Sequence, residues 1–389
     1  MHRTFGRIAC IKASRAPGTP PELTFDRMKQ NQAKGIGTQL VPDCNVVIDI
    51  IRACSTDDTE QTRMAKKRLS PFISFLQTCQ TQGISYYISP FMGLSEMRRP
   101  EAALGPSALE KFSKIYGLAW TDTHPQLQPD LNSIGLLERG YGSLSTESQG
   151  ILSKTYSPLL LMLVIARDLT HLSPLAKFKN YLRLYRRFID IVSVREITIA
   201  RFLFAPTPAL SDTIYQTWEK ITLNFTGRKD LSQHLPRTAR QLDRAALNGA
   251  LDLVILDSAL LSDYRGLDGQ RLDTWIVTAD LKLAALTDAV HHTDLGTGQT
   301  GKYLVTHDYR DQGEYWYQTH TVMEQLTSQY RPHLRPSIAL QRARALRIMG
   351  LAEQGLNGEQ KPPGIPLRST GFQRIEHHCN CVLVSPPFS

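Results

Sequence analysis

Four acidic residues stand where apolar runs stop. Asp43 interrupts LVPDCNVVIDII, Glu96 follows ISYYISPFMGLS, Asp252 sits in ALDLVILDSALL, and Asp280 ends the strand-like stretch of TWIVTADLKLAAL. A carboxylate at the end of a buried strand is costly unless it is paired, hydrogen-bonded or bound to a cation. In open α/β sheets that same edge is where ligands sit. Carboxylates converging there would form an oxygen-donor site suited to Mg²⁺ or Mn²⁺. Such an ion lowers the pKa of a bound water and stabilises charge on a phosphodiester, so the chemistry within reach is hydrolysis without a side-chain nucleophile. Asn45 and Thr278 add an amide and a hydroxyl beside two of the acids. Each acid also has a plainer role open to it. Asp43 and Asp280 can cap the helices that follow, Glu96 can lie on a solvated helix face, and Asp257 competes with Asp252 on the same segment.

The elements that must position these residues alternate between strand and helix. Gln39 onward is strand-like and passes into a helix after Asn45. Residues 59–80 form a second helix ended by Gly83, and ISYYIS follows as a β-rich run. This order opens a parallel α/β sheet. From about residue 98 the character changes. Ser157-Pro158 looks like a cap with proline in the first helical position. In AKFKNYLRLYRRFIDI, Phe178, Tyr181, Leu182, Tyr185, Phe188 and Ile189 recur at helical spacing. Residues 238–262 form a helix or two, Thr274–Thr278 a strand, Leu304–Thr306 one more short strand, and 335–355 a basic amphipathic helix.

The domain organisation expected from this pass is an N-terminal arm (1–37), the first part of an α/β core (38–97), a mostly helical insertion (98–237), the second part of the core (238–330), and a C-terminal helix with an irregular tail (331–389). The arm carries one short strand over Arg7–Ile11.

With 45 Lys and Arg against 36 Asp and Glu, the chain carries a formal charge of +9, which favours polyanionic partners. Lys66, Lys67 and Arg68 on one helix, and Lys179, Arg183, Arg186 and Arg187 on another, are the candidate phosphate-tracking residues. The six cysteines show no disulfide-framework spacing and suit a reducing cytoplasm. The longest apolar run, Leu159–Ala166, is too short to cross a bilayer. His377-His378-Cys379-Asn380-Cys381 lacks a second ligand pair at zinc-site spacing, and His307-Asp308 stands alone. No phosphate-cradling Gly-x-x-x-x-Gly-Lys motif and no Gly-x-Ser-x-Gly elbow occurs.

Taken in order, the four acids resemble the signature of the PIN-domain nucleases. Asp43-Cys44-Asn45 matches that family's strand-ending Asp followed by a small polar residue and Asn or Ser. Glu96 matches its helix-borne Glu, Asp252 in DLVILDSAL its third acid, and Thr278-Ala279-Asp280 its late Thr-x-Asp. Cys44 stands where the family more often has Thr or Ser. The intervals from Glu96 to Asp252 and from Asp252 to Asp280 are longer than in compact members. The resemblance implies a three-layer α/β/α core with a parallel sheet. It also implies Mg²⁺ or Mn²⁺ held by Asp43, Glu96, Asp252 and Asp280, and cleavage of nucleic acid, RNA before DNA. A module of this fold that binds nucleic acid or protein without cutting is the alternative, and a protein regulator and self-association are compatible with either.

Overall fold

The computed structural model describes residues 3–15, 22–97, 99–119, 121–122, 140–190, 193–266, 269–294, 300–329 and 336–356. The His377–Cys381 group lies outside them. The strands are β1 (Arg3–Phe5), β2 (Ile8–Ile11), β3 (Ser14–Arg15), β4 (Ile36–Pro42), β5 (Tyr86–Ile88), β6 (Thr121–Asp122), β7 (Arg271–Thr278), β8 (Val290–Asp294) and β9 (Thr300–Thr306). A six-stranded sheet runs in the order β1-β2-β7-β4-β5-β6, and β3, β8 and β9 form a smaller second sheet. From β7 to β6 the main sheet is parallel, with Leu40 opposite Ile88 on one side and Trp275 on the other.

The chain leaves β4 towards β5 and β6, then returns to lay β7 on the opposite flank of β4. The direction of winding therefore reverses between β4 and β7, and crevices open at the carboxyl ends of strands at such a reversal.

Residues alternate cleanly between two cores. Ile8, Cys10, Leu40, Trp275 and Val277 face one buried cluster, while Ala9, Ile11, Val41 and Ile276 face another. Burial on both faces explains why LVP and WIVT read as continuous apolar runs. The first cluster is completed by α1 (Phe25–Ala33), α2 (Cys44–Ala53), α3 (Glu60–Thr81) and α5 (Arg99–Tyr116). Between β5 and α5 the short helix α4 (Phe91–Glu96) lies over α2. The second cluster is built by α6 (Thr146–Asp168), α7 (Pro174–Phe188), α8 (Val194–Phe204), α9 (Tyr215–Thr226), α10 (Ala239–Arg265), α11 (Leu281–Ala289), α12 (Glu314–Gln329) and α13 (Ile338–Gln354). Helices thus cover both faces of a mostly parallel sheet. Among the described residues two helices are long and apolar enough to span a bilayer, α6 and the Ala239–Asp263 stretch of α10, and they pack against each other in this cluster.

Three expectations change. Residues 3–11 are no arm, because β2 pairs antiparallel with β7 (Cys10 opposite Val277) and carries β1 on its outer edge. Ser157-Pro158 does not begin a helix. Ser145 does so three turns earlier, accepting from the Ser148 N–H at 3.1 Å, and Pro158 lies inside α6. A proline in mid-helix removes one hydrogen bond, and packing on α10 and α13 holds the helix together through it. The helices within 98–237 share buried clusters with the sheet, α5 the first and α6 to α9 the second, so they are continuous with the core.

A buried ionic network fixes the sheet's centre. Lys12 donates to Asp263 and lies 3.0 Å from Asp273, whose carboxylate also takes a bidentate pair from Arg27 at 2.8 and 2.9 Å and the Trp275 indole N–H at 2.9 Å. Lys12, Asp263 and Asp273 are all buried. Two cations and a cluster of hydrogen bonds hold the Asp273 carboxyl below the usual carboxylate range in spite of its burial.

Candidate functional site

Asp43 follows Pro42 at the carboxyl end of β4 and caps α2. Its Oδ1 accepts from the Val46 N–H at 2.9 Å, and its Oδ2 accepts from the Thr278 hydroxyl. The hydroxyl proton of Thr278 is thereby committed to Asp43, and the same oxygen accepts the Asp280 N–H at 2.8 Å. One fully buried hydroxyl links the ends of the two strands that flank the reversal. Asp280 itself caps α11, accepting from the Lys282 N–H at 2.8 Å. Capping and convergence coexist here, since the turn that makes each aspartate a cap also sets it at the carboxyl end of its strand.

Glu96 reaches the same place from another direction. It ends α4, whose Gly93 lies against the β4–α2 turn. A Cβ added at Gly93 would come within 2.7 Å of the Pro42 carbonyl oxygen and 2.9 Å of the Asp43 carbonyl carbon. Glycine is what lets the helix backbone seat directly on Asp43. Asp252 arrives on α10, its Oδ2 accepting from Asn224 Nδ2 of α9 at 2.9 Å. Asp257 points elsewhere. Five residues further along α10, about 140° around the helix axis, it takes a bidentate pair from Arg195 at 2.8 and 3.1 Å. Asp252 is therefore the acid of α10 that joins the cluster, and Asp257 does not support it.

The four charges act on one another. Burial pushes Asp43 up to about 6, against hydrogen bonds from Thr278, Val46 and Asn45, and Asp280 pushes it further. Burial raises Asp252 to about 7, with Asp280 and Asp43 adding to the shift while Asn224 and the Lys282 ammonium oppose it. Burial, then Asp252 and Asp43, hold Glu96 well above the usual glutamate range, and no hydrogen bond among the described residues offsets this. Cys44 is pushed up to about 12 by burial and by Glu96, Asp43 and Glu101. Like charges disfavour each other's ionised form only when they are close. Carboxylates from the end of β4, from α4, from α10 and from the end of β7 therefore share one neighbourhood.

No protein-family model, curated protein or solved structure matches this chain.

The donors that meet here are carboxylates, a hydroxyl and amides, the hard oxygen set that Mg²⁺ and Mn²⁺ prefer. Among the described residues no three acidic, histidine or cysteine groups are drawn in tightly enough to ligate one ion. Mg²⁺ keeps several of its waters and takes only one or two carboxylates directly.

Asn224, Lys282 and Gly93 give no signal in the sequence as site residues. An amide inside an apolar helix and a glycine inside an apolar run acquire meaning only when the elements meet. Of the candidate phosphate contacts, Lys66 and Lys67 are exposed on α3. Arg68 is committed to Asp49 by hydrogen bonds of 2.7 and 2.5 Å, which ties α3 to α2 and removes it from that surface. Lys179, Arg183, Arg186 and Arg187 are exposed on α7. Asp308, beside the exposed His307, is paired with Arg310.

Proposed function

We propose that this protein is a divalent-metal-dependent nuclease with a PIN-like core, acting on RNA in preference to DNA. The observation that carries the proposal is the convergence of Asp43, Glu96, Asp252 and Asp280 at the carboxyl ends of β4 and β7, where the winding of the sheet reverses. Helix capping accounts for Asp43 and Asp280 singly. It gives no reason for Glu96 and Asp252 to be brought beside them from two other helices at an electrostatic cost. A site that only bound phosphates would gain nothing from gathering carboxylates there.

Asp43, Asp252, Asp280 and Glu96 would hold Mg²⁺ or Mn²⁺, directly or through water. The bound ion would supply an activated water and charge stabilisation at the phosphodiester. The protein's own part is positioning. Thr278 fixes Asp43 relative to α11, Asn224 fixes the orientation of the Asp252 carboxylate, and Gly93 keeps α4 seated so that Glu96 cannot drift. Lys282 is the nearby cation that tempers the negative charge of the cluster.

The test is cleavage of labelled RNA and DNA by the full chain with Mg²⁺, with Mn²⁺ and with EDTA, alongside Asp43→Asn and Asp252→Asn. Cleavage that needs the ion and falls at least 100-fold in both variants supports the proposal. Equal cleavage by variants and wild type, or undiminished cleavage in EDTA, would sink it.

A further inference from the structure

The α7 helix presents a row of cations and no acid. Its sequence, PLAKFKNYLRLYRRF, contains no Asp or Glu, and Lys179, Arg183 and Arg187 follow one another at four-residue steps. Residues so spaced are neighbours on one helix face, and the row from 179 to 187 runs for about 12 Å. A single phosphate or a phosphorylated side chain could neutralise one or two members of such a row. A chain of phosphates can use all of it.

Beside this row lies a shallow, open groove of about 590 Å³ between α7 and α12. Arg183, Arg186 and Arg187 form one wall, and Leu182, Val322 and Leu326 supply apolar lining. Two guanidinium groups are oriented by one ring. Arg187 lies 5.3 Å and Arg347 of α13 lies 4.6 Å from the centre of the buried Phe188 ring. Asp190, the acid of the lining, is 3.7 Å from Arg344. The balance of charge along the groove is strongly positive.

Cations on one side and an apolar lining on the other match a strand whose bases are unpaired. Such a strand offers phosphates along one edge and flat apolar faces along the other. A duplex keeps those faces stacked inside and shows the groove only its phosphates. We propose that the α7–α12 groove binds single-stranded nucleic acid, with phosphates on Arg183, Arg186 and Arg187 and bases against the apolar floor at Val322, behind which Leu182 and Leu326 are buried. The groove is built from elements that carry none of the four acids, so the proposal stands or falls independently of cleavage.

Binding is measured by fluorescence anisotropy on the full chain in EDTA, with labelled 12-nucleotide RNA, the same sequence as DNA, and a 12-base-pair duplex, over a series of salt concentrations. Three phosphate contacts contribute a slope of about 2 in log K against log salt for single strands, or about 100-fold in affinity at 0.1 M salt. The variant Arg183→Gln/Arg186→Gln/Arg187→Gln is expected to lose both. The charge-matched variant Lys29→Gln/Lys34→Gln/Lys111→Gln, whose changes are exposed and lie on α1, in the turn that ends it and on α5, is expected to lose less than threefold. Val322→Glu, which leaves every arginine in place, should weaken single-strand binding at least tenfold. Whichever of the RNA and DNA strands binds tighter identifies the strand. An equal loss in the two triple variants would overturn the proposal, as would a duplex that binds more tightly than either strand or a polyglutamate competitor that displaces the strand at equal charge concentration.

Discussion

Replacing Asp252 by asparagine should make the metal-free protein more stable at pH 8 while abolishing cleavage. Asparagine is nearly isosteric and can still accept from Asn224 Nδ2, so the packing of α9 on α10 is kept. What disappears is a carboxylate held at about 7 against an ordinary value of 3.8. At 1.36 kcal/mol per pH unit the difference corresponds to at most about 4 kcal/mol, and partial contact of Asp252 with solvent reduces it to about 2–4 kcal/mol. The sign follows from linkage. A raised native pKa means that the folded state binds the proton more tightly than the unfolded state, so stability is lost as pH rises from about 4 through 7. Below pH 4 the carboxyl is protonated in both states, and wild type and variant should unfold alike. Urea denaturation in EDTA at pH 3.5, 5, 6.5 and 8 reads this directly, and the advantage of the variant should grow across the series. Adding Mg²⁺ at pH 8 should stabilise wild type and leave the variant nearly unmoved. A variant less stable than wild type at pH 8, or an advantage independent of pH, would refute the claim that burial and the neighbouring acids disfavour the ionised form of Asp252.

Three further outcomes are expected. Gly93→Ala should destabilise by about 1–3 kcal/mol through overpacking against Pro42 and Asp43, with a loss of cleavage larger than urea denaturation accounts for; unaltered cleavage would show that the seat of α4 is irrelevant to the site. Lys12→Met should cost about 3–5 kcal/mol, because Asp263 loses its cation within the core, while the metal concentration needed for half-maximal cleavage stays the same; a shift in that concentration would count against a purely structural network. The cleavage rate at saturating Mn²⁺ should rise with pH and level off, because Asp43 and Asp252 must ionise to hold the ion. In the absence of metal they do so near 6 and 7, and bound metal moves the midpoint lower. A rate that falls across this range would contradict the assignment.

Parts of the site were legible in the sequence for definite reasons. Asp43 and Asp280 each terminate a run that is apolar on both faces of a strand, and a carboxylate at the edge of such a run has few roles. Glu96 could be placed on a helix but not over Asp43, since that depends on the closeness allowed by Gly93. Asp252 and Asp257 lie on one helix with similar neighbours, and only Arg195 across the helical layer separates them. Arg68 has the sequence surroundings of a phosphate contact, and only the packing of α3 on α2 gives it Asp49 as a partner. The strand Ile8–Ile11 is apolar but short, and its antiparallel partner lies more than 260 residues away, beyond what local pattern can register. Pro158 was misleading because a local rule about proline was overridden by the packing of α6 between α10 and α13.

The strand that carries Thr278 has a consequence for the order of events during synthesis. β7 lies between β2 and β4, so a nascent chain that has not reached residue 278 has a gap in the middle of its sheet. Asp43 then has no hydroxyl partner, and Asp252 and Asp280 are not yet in place. An N-terminal fragment that ends before residue 278, whether stalled on a ribosome or released by a protease, would therefore lack Asp280 and the Thr278 hydroxyl, and one that ends before residue 252 would lack Asp252 as well. On the proposed reading, hydrolysis would be withheld until a contact 235 residues apart has closed, and activity would be tied to the arrival of β7 in the sheet.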